Sequence, residues 1–409
     1  MNDTKGRNAF EPMSANTKFQ NSVSLSNKVT IYNCSTLSFF GGGERLIIKI
    51  SDYLVSKNFS VKIVQNLNQK NIVRVKEVEI EKMTKGILSS EKFSRFGFPR
   101  FLFHDLPDLE SLSRNKDSIS LIFIWRIPPL SYLKMISKSG IKVIFCLHGI
   151  AIEKFRLTNP LIMAHQIITR FELHYMAKYL NNNIYCQTLN GNILKYLSDL
   201  GAYPRNVILI ENGINNYTFT VSQNNEEFRV IFIGRIENLQ KGIVRLKKVA
   251  ILLYKYNPNI KFVIIGIGKD SNILKNLPKN CEYLENVSDE NKYREIERAN
   301  LMIITSNIEP YPLVALEAIQ NGIPIVSTPA SGPSHILSKD SDFGVVSSFS
   351  PRELSNEVIK FFYMWKDDKK RYYEMKMRIA KRARTLFDQD AMLENYSDMI
   401  KSVSRDTKP

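Results

Sequence analysis

The stretch spanning residues 301–327 constrains the fold more than any other. Residues 301–304 form a short apolar run of the kind found in a parallel strand buried on both faces. A loop with two prolines follows. An apolar-periodic helix over about 312–320 closes at Asn321-Gly322, where Gly322 suits the left-handed position just past a helix end. A second strand, 323–327, comes directly after. The unit is therefore strand, loop, helix, strand, and it places the chain among α/β folds with parallel sheets.

Two carboxylates mark this unit. Glu309 sits in the loop at the carboxyl end of the first strand, and Glu317 on the second turn of the helix. Pro312 suits the first helical position, where its missing N–H is no loss. The amides of Leu313 and Val314 then point out of the helix start toward any anion placed there. Open α/β sheets bind ligands at such loops. An anion on the amides with a carboxylate on each side suits a nucleotide sugar, in which two phosphates are flanked by a hexose and a ribose. The same pattern also fits an ordinary βαβ unit with two solvated glutamates.

A chain of 409 residues is too long for one typical core, so two domains are expected. Cys34, Cys146, Cys186 and Cys281 lie in or beside strand-like runs without metal or framework spacing, which predicts reduced thiols. The net charge of +17 is uneven. Residues 1–222 hold 28 Lys/Arg against 16 Asp/Glu, and residues 223–409 hold 29 against 24. A basic first half fits anionic lipid head groups, a lipid pyrophosphate or nucleic acid; it equally fits a lysine-biased surface. No apolar run reaches membrane-spanning length. The polar residues 1–27 read as a disordered tail without a signal-peptide core. The expectation is a cytoplasmic protein that at most touches the inner face of a membrane.

In the first half, 28–34 reads as a strand running into Gly41-Gly42-Gly43 and a helix over about 43–57. Glycines in such a loop let backbone amides approach a phosphate. Further strands fall at 60–65, 71–80, 118–126, 141–147, 183–188 and 207–210, with helices at 160–180 and 190–200. The cluster of aromatic and basic residues at 93–103 reads either as a membrane-facing patch or as packed loop aromatics. His148 stands at a strand's carboxyl end, where catalytic residues tend to lie. His165 and His174 fall on different turns of one helix and do not make a metal pair. Residues 215–227 read as a linker.

In the second half, a strand at 229–233 leads to Gly234-Arg235, and Lys241-Gly242 opens a helix to about 256. Arg235 and Lys241 bring two positive charges to one strand–helix loop, as a nucleotide diphosphate requires. Strands follow at 261–265 and 281–284, the first ending in a Gly-x-Gly turn at Gly268. Ser288 can cap a helix to about 299. Asp340 and Asp342 read as a solvated turn. Helices at 350–365 and 366–386 precede a last helix, 388–402.

Glu309 and Glu317, with EPYPLVALEA spanning them and NGIPIVST after, resemble the paired-glutamate motif of retaining glycosyltransferases of family 4. The GGGER loop, His148-Gly149, Asn212-Gly213-Ile214, Gly234-Arg235 with Lys241-Gly242, and the SGPSHIL run at 331–337 are similar to other segments of that family. Pro310 stands where the family usually has glycine, which removes a donor and stiffens the loop. The resemblance covers about residues 28–400.

It implies the GT-B fold: two Rossmann-like domains, 28–222 and 223–387, facing each other across a cleft, with 388–409 crossing back to the first. It further implies transfer of a hexosyl group from a nucleotide sugar, UDP-linked by preference and otherwise GDP-mannose, to a hydroxyl of a glycan or lipid-linked saccharide. Arg235 and Lys241 would neutralise the departing diphosphate, Glu309 would orient the sugar and Glu317 the ribose. His148 would line the sugar pocket. Gly42, Gly43, Gly234, Gly268, Tyr311, Leu313 and Val314 complete the donor side. No metal, cofactor or nucleic acid is expected. Two other readings stay open: a GT-B nucleotide-sugar epimerase, and a non-catalytic basic protein that binds nucleic acid or membrane.

Overall fold

The apolar runs pair as parallel strands in two separate sheets. The computed structural model describes residues 27–34, 42–65, 75–83, 106–156, 159–181, 183–215 and 226–406. The tail, Gly41, the 93–103 cluster and most of the linker lie outside the described residues.

The first domain runs β1 (Lys28–Asn33), α1 (Gly42–Ser56), β2 (Ser60–Gln65), β3 (Glu79–Lys82), α2 (Leu109–Arg114), β4 (Ile119–Ile124), α3 (Leu130–Ser139), β5 (Val143–Leu147), α4 (Pro160–Tyr179), β6 (Ile184–Thr188), α5 (Gly191–Asp199) and β7 (Val207–Leu209). The second runs β8 (Arg229–Ile233), α6 (Asn238–Lys241), α7 (Ile243–Tyr256), β9 (Lys261–Ile265), β10 (Cys281–Leu284), α8 (Asp289–Arg298), β11 (Leu301–Ile304), α9 (Leu313–Gln320), β12 (Ile325–Ser327), α10 (Ser331–Leu337), β13 (Gly344–Val346), α11 (Pro351–Asp367) and α12 (Lys369–Leu386). A last helix, α13 (Gln389–Arg405), follows.

Among the described residues the first sheet has the order β3-β2-β1-β4-β5-β6-β7 and the second β10-β9-β8-β11-β12-β13. Each reverses direction once, between β1 and β4 and between β8 and β11. Strands β4 and β5 are buried at every residue because helices cover both faces of the sheet. On one face, Val29, Ile31, Leu121 and Phe123 pack under α1 and α13. On the other, Tyr32, Ile122 and Phe145 pack under α3, α4 and α5. The core of the second domain includes α11 and α12 and takes in Leu189 and Ile214.

The last helix returns to the first domain. Met392, Tyr396, Met399 and Ile400 are buried there among the side chains of β1, β4 and α1. Asp388 starts this helix by accepting the Ala391 amide at 2.8 Å.

Several boundaries differ from the sequence reading. Pro312 is the cap of α9 rather than its first residue, with extended backbone. Lys241 ends a one-turn helix instead of opening a long one. Gly242, at φ +67°, breaks the path, and a Cβ there would fall 2.3 Å from the Thr305 carbonyl oxygen. β12 starts only at Ile325. Elements without a counterpart in the sequence reading include α2, which falls in a stretch expected to be irregular, and α3, α10 and β13.

Truncating Ile400, fully buried in α13, is expected to destabilise the first domain by roughly 2–5 kcal/mol. Denaturant unfolding of Ile400→Ala checks this. A loss under about 0.5 kcal/mol, as for a surface position, would mean that the helix does not belong to that core.

Candidate active site

Where a sheet reverses direction, the chain leaves neighbouring strands in opposite directions and the strand ends stay uncovered. Here two such ends face each other. Cys34 follows β1, Trp125 and Arg126 follow β4, and His148 and Gly149 follow β5. Opposite them stand Arg235 after β8 and Glu309 after β11. All of these line one cavity of about 390 Å³ between the domains. Its outer wall is α4, through Leu161, Ala164, Ile168 and Thr169.

The cleft carries cations, each already engaged. Lys241 Nζ pairs with the Glu309 carboxylate, which also accepts from Ser306 Oγ at 3.2 Å. Arg235 reaches Glu237 at 3.2 Å and the side-chain oxygen of Gln240. Arg126 holds the buried Glu172 through Nε at 2.9 Å and Nη2 at 2.6 Å. The carboxylate Glu309 is itself buried. An anion entering between Arg235 and Lys241 would compete with Glu309 for the lysine, in a setting of low dielectric where such competition is strong.

His148 is the polar group offered by the first domain. Its ring packs against Phe123 at 4.9 Å, and Nε2 lies 3.1 Å from Gln187 Oε1 and 3.3 Å from Tyr396 Oη. The Gln187 amide nitrogen is committed to the Thr188 and Ile210 carbonyls. Its oxygen therefore faces the imidazole, and His148 must donate from Nε2. Nδ1 is left as the acceptor. Burial pushes the His148 pKa down to about 4, so the ring is neutral at physiological pH.

The structure does not bring every candidate residue into this cavity. Glu317 lies outside it, held by Lys292 Nζ at 2.9 and 3.0 Å and by Tyr293 Oη at 3.4 Å. Tyr311 is buried beside His335, ring centroids 6.3 Å apart. Gly268 is packed rather than open: a Cβ there would fall 2.2 Å from the Ile236 carbonyl, which fixes the Gly268 loop on the Arg235 segment. Gly234 lies beside the Lys241 chain.

Gly42 and Gly43 touch opposite partners, Leu313 across the domain boundary and Trp125 within the first domain. Ala315 is the first residue of α9 whose amide bonds back into the helix, to the Pro312 carbonyl at 3.0 Å. The Leu313 and Val314 amides thus precede the helical ladder.

Sequence reasoning missed the residues that join the domains. Glu153 accepts from the Glu309 and Ser331 amides, and Arg156 donates to Asn307 at 3.1 and 3.0 Å. Arg156 also stacks on Phe349 at 3.6 Å. None of these residues sits in a motif of fixed spacing, and only the fold brings them together. Among the described residues no group of three or more His, Cys, Asp or Glu could hold a metal ion.

Two parallel-sheet α/β domains with facing strand ends and a shared cleft define the GT-B architecture. The solved structure of HepE from Anabaena, in complex with UDP and glucose, superposes with a TM-score of 0.63 at 14% identity, covering 91% of this chain and 98% of that one. TarM of S. aureus, in complex with UDP, alpha-GlcNAc-glycerol and Fondaparinux, gives 0.66 at 12% identity, covering 91% and 99%. Residues 214–385, which span most of the second domain, match the family described as Glycosyl transferases group 1. A poly(glycerol-phosphate) alpha-glucosyltransferase of Bacillus subtilis (strain 168) is 27% identical over 139 residues, which is 33% of this chain and 20% of the relative. The chain spans less than half the length of the curated relatives it matches.

The depressed His148 pKa has a definite sign. Below pH 6.5 the unfolded chain takes up a proton that the folded state refuses until about pH 4, so stability falls on acidification across that window. The expected NMR titration shows a His148 imidazole that stays neutral from pH 8 to 5. A midpoint near 6.5 would contradict its buried, Gln187-bonded setting.

Proposed function

We propose that the protein is a retaining glycosyltransferase that moves a hexosyl group from a nucleotide sugar to a hydroxyl of a glycan or lipid-linked saccharide. A UDP-sugar is the favoured donor, with GDP-mannose the second choice. The observation that carries this reading is the meeting of Arg235, Lys241 and Glu309 with His148 in one cleft at facing strand ends. The family match of residues 214–385, and the UDP bound in the structures of HepE and TarM, support it.

In this reaction Arg235 and Lys241 stabilise the charge that grows on the leaving diphosphate, an electrostatic role. The diphosphate replaces Glu309 as the partner of Lys241. The freed carboxylate then accepts hydrogen bonds from sugar hydroxyls. The Leu313 and Val314 amides lie at the start of α9, where they add donors for the diphosphate. His148 lines the sugar side and presents Nδ1 as a neutral acceptor. The acceptor hydroxyl attacks from the face that the diphosphate leaves, and the departing oxygen takes its proton. Glu317 binds the ribose once Lys292 gives way.

Lys241→Ala is expected to lower kcat by about 10²–10³ with the fold intact, the magnitude seen when one transition-state donor is removed. Transfer assays with a panel of nucleotide sugars, run with and without acceptor, check this. Normal transfer by the variant would sink the assignment; turnover without any acceptor would point to epimerisation instead.

The acceptor side fits an apolar, anionic setting. Leu161, Ala164, Ile168 and Phe171 recur along one stripe of α4. Leu161 and Phe171 are each 68% exposed, with Phe155 exposed close by in the chain. Lys154 and Lys178 are exposed near this stripe. The stripe begins inside the cleft and continues onto the surface, which suits a protein lying against an anionic membrane while its acceptor enters below. No helix among the described residues is long and apolar enough to cross a membrane. Vesicles rich in anionic lipid are expected to sediment the protein, and Phe171→Glu to reduce the bound fraction severalfold. Equal binding to neutral vesicles, or an unaffected variant, would remove the membrane part of this reading.

A further inference from the structure

Glu153 is only 3% exposed, yet its carboxylate takes three hydrogen bonds, all from the other domain. Oε1 accepts from the Glu309 amide at 3.1 Å and from Ser331 Oγ at 3.1 Å. Oε2 accepts from the Ser331 amide at 2.8 Å. The loop that carries Glu153 is fastened to α4. Glu153 N donates to Gln166 Oε1 at 2.7 Å, and Arg170 Nη2 donates to the Glu153 carbonyl at 2.7 Å.

The partner loop is held equally firmly. The Glu309 carbonyl accepts from Gly332 N at 2.8 Å. The next carbonyl, of Pro310, accepts from Asn190 Nδ2, a first-domain group, at 3.2 Å. First-domain side chains therefore grip the backbone of Glu309 and Pro310, while the Glu309 side chain stands on Lys241 in the cleft. Glu153 itself does not line the cavity.

A buried carboxylate is an expensive way to hold two domains together. The charged groups that face it are Arg156 and Arg170 from its own domain and Glu309 from the other. His335 on α10 is already engaged by Glu211. Burial prevails over the donated hydrogen bonds and raises the Glu153 pKa to about 7. An apolar side chain would pack the domains at lower cost, but it would place no acceptor on the Glu309 amide.

We propose that Glu153 is a positioning residue that couples closure of the two domains to the placement of Glu309. The carboxylate that serves the sugar is then set only when the cleft is shut. The part of this inference that concerns Glu309 rests on the proposed glycosyltransfer; the part that concerns closure does not.

The test uses three variants of the full chain. Glu153→Gln keeps size but turns an NH2 toward one of the three donors. Glu153→Asp keeps the charge on a chain one methylene shorter. Ser331→Ala removes one donor and leaves Glu153 in place. Cooperative unfolding first establishes that each is folded. In small-angle scattering without ligand, Glu153→Gln is expected to give a larger radius of gyration than the parent chain.

In transfer assays its kcat falls about tenfold or more while the donor KM stays within about threefold, as expected when a reacting group is misplaced and donor binding is untouched. Glu153→Asp recovers part of the loss, and Ser331→Ala loses less than Glu153→Gln. The parent kcat drops as pH falls through about 7, because a proton on either oxygen turns one acceptor away from its donor; this limb is missing in Glu153→Gln. Unchanged scattering together with unchanged kcat overturns the proposal. So does a fall in kcat matched by an equal loss of UDP binding. A parent chain that binds no nucleotide sugar would overturn the proposed function, and the scattering comparison would still decide whether Glu153 controls closure.

Discussion

Two sheets that each reverse once, with their reversal points turned toward each other, are the constraint on which the cleft depends. At β1/β4 and at β8/β11 the strand ends carry backbone groups and loop side chains that no crossover helix covers. Packing these ends face to face removes them from bulk water, so each charge must find a partner. That is why Lys241 meets Glu309, Arg235 meets Glu237 and Arg126 meets Glu172. The cavity between them is a consequence of topology, and its chemistry is a consequence of burial.

The contact between the domains is largely polar. Among the described residues, buried apolar side chains cross the boundary at Ala151 and Ile162 with Ile308, where Leu239 packs against them, and at Leu189 and Ile214, which join the core of the second domain. Hydrogen bonds and ion pairs also cross it: Glu153 on Glu309 and Ser331, Arg156 on Asn307, Glu211 with His335 and Lys339, and Arg45 on Asp289. An interface of this composition resembles a transient one, and relative motion of the domains is the default expectation for it. The exposed Arg45 pair contributes little. The buried Glu153 contacts carry more weight, because they lie out of water and a carboxylate accepts all three of the hydrogen bonds.

Much of this is legible in the sequence. The strands at Lys261–Ile265 and Leu301–Ile304 coincide with apolar runs bounded by polar residues, since a strand buried on both faces has no alternation to blur its ends. Elements whose local preference opposes their structure are not. Ser331–Leu337 contains glycine and proline, both poor helix formers, yet it is helical, with Glu153 taking the Ser331 amide and the Glu309 carbonyl that of Gly332. β13 has three residues and begins at a glycine with φ +139°. α3 does carry two signals, Pro129 before it and Gly140 at φ +71° after it, and they are the marks by which a helix there could be found. In the cleft, Arg235, Lys241 and Glu309 stand in recognisable strand-end loops. Glu153 and Asn307 have no spacing that marks them; what joins each to the other domain is a partner more than a hundred residues away.

Charge balance in the cleft ties these features together. Glu309 pairs with Lys241 and Glu237 with Arg235, so neither cation faces the cavity with an unbalanced charge. Binding a diphosphate between them would replace one carboxylate with a stronger, doubly charged partner and release Glu309 at the moment a sugar hydroxyl arrives. The released side chain would swing freely unless its backbone were fixed, and the backbone is fixed from the opposite domain by Glu153. A donor that frees Glu309 and a closure that anchors it would thus act on the same residue from two sides, which is how a mobile two-domain protein can keep its cleft carboxylate in place without building it into either core.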